Sequence, residues 1–123
     1  MGIIDDNINA ANKSFLYFLH EENKFDKKSF WDLCSYIETL DSVTVPELRK
    51  LYFIQNQLIR HMVYHFDDND MSEISNLPSD YWNYAEQLET AINAIENITI
   101  GRRGNAYNIL RRYYKRAGRR LIL

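Results

Sequence analysis

Two histidines lie four residues apart, His61 and His65, a spacing that places both side chains on one face of a helix. The same spacing is typical of two metal ligands, and the carboxylates of Asp67 and Asp68 follow closely. No glutamate follows the first histidine as in an H-E-x-x-H motif, and no third histidine is near. A histidine near a helix carboxyl end also interacts favourably with the helix dipole. We therefore expect structural roles for this pair, as for His20, and no metal site.

A cluster of carboxylates lies in the longest predicted loop, at 67–78. The loop begins with DDND at 67–70, like a calcium loop. Counting from Asp68, however, the sixth residue is Glu73 where that motif has Gly, and the twelfth is Ser79 where it has Glu. We therefore reject a calcium site. Two interpretations remain: a solvated loop, or a surface that imitates nucleic-acid phosphates and binds a basic partner.

Covalent chemistry has little support in the sequence. Cys34 is the single cysteine, which excludes an internal disulfide and a zinc site of several thiolates. It falls on the apolar face of a predicted helix, so we expect a buried, unreactive thiol. The chain has no G-x-S-x-G motif, phosphate-binding glycine loop or dinucleotide fingerprint. Carboxylate pairs such as Glu86 with Glu89 are common on charged helices. We predict that the protein is not an enzyme and binds no cofactor.

Charge is divided unevenly along the chain. Residues 1–100 hold all 17 acidic residues and seven Lys or Arg, a net charge of −10, whereas residues 101–123 hold eight Lys or Arg and no acid, a net charge of +8. Cations alternate with tyrosines in the basic part, a pattern suited to phosphate contacts and base stacking. Its cationic face would comprise Arg111, Arg112, Lys115, Arg116 and Arg119. Docking on the acidic body, binding of a protein partner and binding of nucleic acid all remain open.

Apolar residues recur at helical spacing along most of the chain. Five helices are predicted, from Asp5 or Asp6 to His20, from the N-cap Asp26 to Leu40, from the N-cap Thr44 to Phe66, from the N-cap Ser79 to Ile95, and from the N-cap Asn105 to about 120. The residues after the fourth helix, Ile98 to Gly101, are expected to be a short extended stretch or a frayed end.

The third predicted helix has the clearest start and is predicted to be the longest. Thr44 and Glu47 form a capping box, with Pro46 in the first turn. Its predicted core-facing residues share helical spacing and are Leu48, Leu51, Tyr52, Gln55, Leu58, Ile59, Met62, Val63 and Phe66. Trp31 and Trp82 lie at the edges of their helix stripes, where we expect partial burial in the core.

The composition indicates one globular helical domain. With 46% hydrophobic residues the chain can bury one core, and four Gly and two Pro argue against a turn-rich β fold. We expect a single domain over 1–123, with an acidic body at 1–100 and a basic helix at 102–120, folded as a compact bundle of four to five antiparallel helices. No apolar run is long enough to cross a bilayer, and no signal peptide is recognisable, so a cytoplasmic protein is expected.

The chain combines small size, an acidic helical body, no catalytic motif, a composition rich in Asn, Ile, Tyr and Lys, and the opening MGIIDD. In these respects it resembles the small bacterial immunity proteins of contact-dependent growth inhibition and other polymorphic toxin systems. The resemblance implies a one-to-one inhibitor that covers the active or substrate-binding surface of a cognate toxin, a basic nuclease domain. The contacts would come from the carboxylates and aromatic anchors around the 67–80 loop: Asp67, Asp68, Asp70, Glu73, Asp80, Tyr81 and Trp82.

The basic C-terminal part departs from a simple acidic inhibitor and keeps two alternatives open. One is a small nucleic-acid-binding regulator whose 102–120 helix contacts phosphates. Its affinity for nucleic acid would depend on the salt concentration. The other is a phage-type inhibitor that imitates nucleic acid and blocks a host or phage nuclease complex.

Overall fold

The computed structural model describes residues 2–69 and 73–102, and these form an all-α fold with no strand among them. Five helices follow one another along the chain: α1 (Ile3–Ile8), α2 (Phe15–Glu21), α3 (Lys27–Thr39), α4 (Val45–His65) and α5 (Tyr81–Arg102). They pack against one another as a bundle, which confirms the predicted fold class. The helix predicted from Asn105, with its cationic face, lies outside the described residues.

The predicted helix from Asp5 or Asp6 to His20 is wrong, because the chain breaks into α1 and α2. Three residues between them adopt left-handed φ angles of about 50°, namely Ala10, Asn12 and Lys13. The hydroxyl of Ser14 then caps α2 by accepting a hydrogen bond from the amide of Tyr17. The apolar spacing continues across the break, so periodicity alone could not reveal it.

The buried side chain of Asn7 stabilises this break. Its Nδ2 donates to the carbonyl of Ile3 at 2.9 Å, and its Oδ1 accepts from the amide of Leu16 at 3.0 Å. One fully buried amide thus satisfies backbone groups of both short helices. In a continuous helix the amide of Leu16 would bond within the helix, and the buried Oδ1 of Asn7 would lose this partner.

The helix starts predicted for α3 and α4 are confirmed. The carboxylate of Asp26 accepts from the amide of Ser29 at 2.9 Å, and the rings of Phe25 and Phe30 lie 5.7 Å apart across the cap. Thr44 and Glu47 make both hydrogen bonds of the capping box. Such caps depend on residues three positions apart, which the sequence specifies directly.

The core lies between the long helices and is closed at one end by aromatic rings. Phe15, Phe25, Phe30 and Tyr84 form edge-to-face contacts with centroids 5.0 to 5.3 Å apart. The other large side chains that are fully buried are aliphatic: Leu16, Leu19, Leu33, Ile37, Leu51, Ile54, Leu58, Leu88 and Ile92. Cys34 is buried among them, as predicted.

The long helices alternate in direction along the chain. Trp31 near the start of α3 lies 6.3 Å from Tyr84 near the start of α5, measured between ring centroids, so these helices run parallel. α4 returns antiparallel to α5: the amide of Val43 before α4 donates to Thr99 Oγ1 near the end of α5, and Phe66 after α4 meets Tyr81. Both ends of α5 are therefore fixed by neighbours distant in sequence.

Part of the predicted α4 core stripe is wrong. Ile59, Val63 and Phe66 are 37%, 60% and 57% exposed, whereas Ile54 and His61, which the stripe omitted, are buried. The apolar band of α4 is wider than the face that its neighbours cover, so hydrophobicity alone could not show which edge remains exposed.

The bounds of α5 also differ from the prediction. The helix begins at Tyr81, so its N-cap position falls on Asp80 and not on Ser79. Ile98 to Gly101, expected to be extended or frayed, continue the helix. With 22 residues in its described part, α5 exceeds the 21 of α4, which was expected to be the longest.

Candidate protein-binding surface

The connection between α4 and α5 is anchored to the chain between α2 and α3. The amide of Ser75 donates to the carbonyl of Asn23 at 2.8 Å. The side chain of Asn76 bonds to both backbone groups of Phe25, accepting from its amide at 2.6 Å and donating to its carbonyl at 3.1 Å. These bonds fix the start of α5 against the aromatic end of the core.

His65 has a structural role in the same connection. Its Nδ1 accepts a hydrogen bond from the amide of Ile74 at 2.9 Å, and the Ile74 side chain is buried. His61, four residues earlier, points to a different neighbour: its Nε2 lies 3.0 Å from Nδ1 of His20 on α2. The two histidines of α4 therefore do not converge on one site. Among residues 2–69 and 73–102, no group of three or more His, Cys, Asp or Glu side chains is placed to hold a metal ion.

Exposed aromatic residues lie where α4 ends and α5 begins. The rings of Phe66 and Tyr81 are 5.2 Å apart, and Trp82 follows with 60% of its surface exposed. Val63 and Ile59 precede Phe66 by three and seven residues and so share its helix face. The partial core burial expected for Trp82 is wrong, whereas Trp31, 48% exposed, packs its ring against Phe30 and Tyr84 and is partly buried as predicted.

Carboxylates border these exposed rings. Asp67 and Asp68 directly follow Phe66 and are exposed, and Asp67 Oδ1 accepts from the amide of Asn69. Exposed Glu73 lines a shallow depression of about 310 Å³ together with Phe66 and Tyr81. We call the set Ile59, Val63, Phe66, Asp67, Asp68, Glu73, Tyr81 and Trp82 the α4–α5 surface.

Not all predicted contact residues join this surface. Asp80 lines a separate groove between α3 and α5, together with Trp31 and Glu38. Asp70 lies outside the described residues, as do the cations at 111–119. Sequence reasoning missed Ile59, Val63 and Phe66 as surface residues, because it assigned them to the core.

The charge of the α4–α5 surface is not neutralised by neighbouring cations in the described part of the chain. The three ion pairs among the described residues join Lys24 with Glu22, Lys28 with Asp32, and Lys50 with Asp5, and none of them lies on the α4–α5 surface. The surface thus combines accessible apolar area with negative charge. Such an arrangement can bind a partner with a basic, partly apolar face.

The thiol of Cys34 is placed as predicted. Burial, and secondarily the negative charge of Glu38, raises the pKa of the Cys34 thiol to about 12. A thiol in this environment stays protonated at neutral pH and is a poor nucleophile.

Comparison of the chain with models of known families, with curated proteins and with solved structures gives no match. Within residues 2–69 and 73–102, none of the helices has the length and apolar character needed to span a membrane.

Proposed function

We propose that the protein is a binding protein and not an enzyme, and that its α4–α5 surface contacts a basic surface of another protein. The observation that carries this proposal is the exposure of Phe66 and Trp82, 57% and 60%. The carboxylates beside them take part in none of the ion pairs among the described residues. Large exposed aromatic side chains are typical anchors of protein interfaces.

The carboxylates and the aromatic residues would have different tasks in the complex. Negative charge around a binding surface speeds association with a basic partner and disfavours acidic ones. Desolvated aromatic side chains supply most of the affinity, and Trp and Tyr are enriched among such residues. In this proposal, Trp82 and Phe66 are the anchors, while Asp67, Asp68 and Glu73 steer the partner.

The more specific form of the proposal is a cytoplasmic immunity protein that neutralises a cognate bacterial toxin. The partner would be a nuclease domain, because enzymes that bind nucleic acid have basic clefts that a carboxylate-rich surface complements. The acidic net charge of residues 1–100 and the small helical fold support this form. Inhibition would come from occlusion of the cleft and would need no chemistry from the inhibitor.

In this proposal the toxin is encoded next to the gene, and the test uses the nuclease domain found there. Phe66→Ala with Trp82→Ala should weaken binding at least about a hundredfold, since interface anchors often contribute more than 2 kcal/mol each. Phe53→Ala is the matched control, because Phe53 is 43% exposed on α4 but does not belong to the α4–α5 surface. Binding is measured by calorimetry and protection by the survival of cells that express the toxin.

Charge reversal tests the steering role separately. Asp67→Lys with Asp68→Lys should slow association and reduce protection, whereas Glu21→Lys with Glu22→Lys, at the end of α2, should leave both unchanged. Protection that survives changes of both the aromatics and the carboxylates would refute the assigned surface. If Arg112→Glu with Arg116→Glu abolished it instead, the binding face would be the basic C-terminal segment.

A further inference from the structure

The shallow depression on the α4–α5 surface carries one carboxylate among aromatic and aliphatic walls. Its volume is about 310 Å³, and it lies where α4 ends and α5 begins. We call it the Glu73 depression, and in the described part of the chain it is lined by His65, Phe66, Glu73, Ile74, Ser75, Leu77, Pro78, Ser79 and Tyr81. A cavity of about 150 Å³ takes a benzene ring. The depression therefore has room for one planar side-chain group and part of its stem.

The charges at the Glu73 depression favour a cation. Glu73 is exposed and takes part in none of the ion pairs among the described residues. None of the described lining residues is Lys or Arg, and Nδ1 of His65 carries no proton, because it accepts a hydrogen bond from the amide of Ile74. His65 and Phe66 also form the carboxyl end of the 21-residue α4, where the helix dipole is negative.

The start of α5 does not reverse this preference. The amide of Tyr81 donates to the carbonyl of Pro78 at 3.1 Å, and the amide of Asn83 donates to the carbonyl of Asp80 at 2.9 Å. Two of the first three amides of α5 are thus bonded within their own turn. Free amides at a helix start are what holds an anion. The depression therefore lacks the usual basis of an anion site.

The walls of the depression suit a guanidinium group better than an ammonium group. The rings of Phe66 and Tyr81 are 5.2 Å apart, with 49° between their planes. A guanidinium group stacks on aromatic rings and donates to a carboxylate through parallel N–H groups, whereas an ammonium group is a compact, strongly hydrated charge. Leu77 and Pro78 are half-buried and offer apolar surface to the methylene stem of an arginine.

We infer that the Glu73 depression binds the guanidinium group of one arginine of the protein partner. Glu73 accepts its hydrogen bonds, and Phe66 and Tyr81 provide the stacking surface. The inference rests on the proposed function for the source of this arginine, since arginines that contact phosphate are common in proteins that bind nucleic acid. It gives Glu73 a direct contact with the partner, whereas Asp67 and Asp68 do not line the depression.

The test titrates the isotopically labelled full-length protein with N-acetyl-arginine amide at constant ionic strength and follows its amide resonances by NMR. The amides of Glu73, Ile74 and Tyr81 should shift and saturate, with half-saturation in the millimolar range that suits a single side chain. N-acetyl-citrulline amide keeps the planar shape without the charge and should cause no such shifts. N-acetyl-lysine amide should bind about fivefold or more weakly, because its ammonium group cannot stack or donate in parallel.

Variants of the depression test the assigned contacts. Glu73→Gln and Phe66→Leu should each raise the half-saturation concentration of the arginine amide by about fivefold or more. Glu38→Gln is the matched control, because it removes an exposed carboxylate from the α3–α5 groove, and it should leave this concentration unchanged. Shifts that do not saturate, equal affinity for the arginine and lysine amides, or equally large shifts at Gln87 in the α3–α5 groove would overturn the inference.

Binding of the nuclease domain separates this inference from the proposed function. Glu73→Gln should weaken that complex by about fivefold or more, whereas Glu38→Gln should not. If the nuclease domain bound Glu73→Gln as tightly as the parent but lost affinity for Phe66→Ala with Trp82→Ala, the inference would be wrong and the proposed function would stand. If the arginine amide saturated the depression but the nuclease domain did not bind the parent, the proposed function would be wrong and the guanidinium site would stand.

Discussion

His61 on α4 and His20 on α2 share a hydrogen bond, with 3.0 Å between Nε2 of the first and Nδ1 of the second. Their rings also meet edge to face, with centroids 4.4 Å apart. His61 is 8% exposed, whereas His20 lies at the surface. The contact therefore joins a buried polar group of α4 to the end of the short helix α2.

Removal of either histidine should destabilise the fold to a different extent. His61→Ala should lower the free energy of unfolding by about 1–3 kcal/mol, because it removes a buried hydrogen-bonding side chain, and His20→Ala should cost less. The double variant should reveal a coupling of about 0.5–1.5 kcal/mol. Urea unfolding followed by circular dichroism measures all three. Strictly additive losses would mean that the hydrogen bond contributes nothing to stability.

The core between α4 and α5 should depend strongly on two leucines. Leu58 and Leu88 are fully buried, so Leu58→Ala and Leu88→Ala should each cost about 2–5 kcal/mol. Val63→Ala, on the exposed edge of α4, should change stability by less than about 0.5 kcal/mol. The comparison by thermal and urea unfolding distinguishes the observed core from the stripe predicted by periodicity. A loss of stability in Val63→Ala as large as that in Leu58→Ala would show that the core lies on the face of α4 that carries Val63.

The N-terminal cap of α4 should make a measurable local contribution. Thr44→Ala removes the hydroxyl that accepts from the amide of Glu47 and should cost about 1 kcal/mol. Ser35→Ala, at an exposed position inside α3, is the matched control and should have little effect. Both values follow from urea unfolding at neutral pH. A Thr44 variant as stable as the parent would show that the capping box is dispensable.

The same cap predicts a dependence of stability on pH. The hydrogen bonds from the backbone and side chain of Thr44 lower the pKa of Glu47. A carboxyl whose pKa is lower in the folded protein stabilises the fold above its ordinary pKa of about 4.3, and this stabilisation is lost as the pH falls through the lowered value. Glu47→Gln should therefore weaken the decline of unfolding free energy below about pH 5. Parallel stability curves for parent and variant would contradict this.

Cys34 should be unreactive in the native protein. With its pKa raised to about 12 by burial and by Glu38, the thiolate fraction at neutral pH is about a thousandfold smaller than for an exposed cysteine. Reaction with an aromatic disulfide reagent at pH 8 should be slower than in denaturant by a similar factor. Rapid labelling of the folded chain would show that the groove beside Cys34 gives access to the thiolate.

The starts of α3 and α4 were predictable because their determinants are local. The capping side chain and the amide that it binds are three positions apart in both helices, Asp26 with Ser29 and Thr44 with Glu47. The sequence alone therefore shows both partners of each cap. The break after α1 was not predictable in this way. It depends on Asn7 becoming buried against Leu16, a contact that exists only after both short helices have packed.

The candidate site was predicted only in part, for a related reason. The exposed carboxylates Asp67 and Asp68 are obvious in the sequence, but the apolar residues beside them look like core. Phe66 has the helical spacing of a core residue. Whether another helix covers it depends on the direction in which α5 leaves the end of α4, which the spacing does not show. Asp80 is close to the loop in sequence but lines another groove, because a helix start presents successive side chains to different faces.

The anchoring of Ser75 and Asn76 to Asn23 and Phe25 has a kinetic consequence for any complex. These hydrogen bonds hold the backbone just after Glu73 before a partner arrives, so that little conformational entropy remains to be lost on binding. When the surface is already ordered, a larger fraction of encounters with the partner leads to the complex. The association rate can then be set by diffusion and electrostatic attraction. Asn76 would thus influence the speed of recognition by holding this backbone in place through its two hydrogen bonds to Phe25.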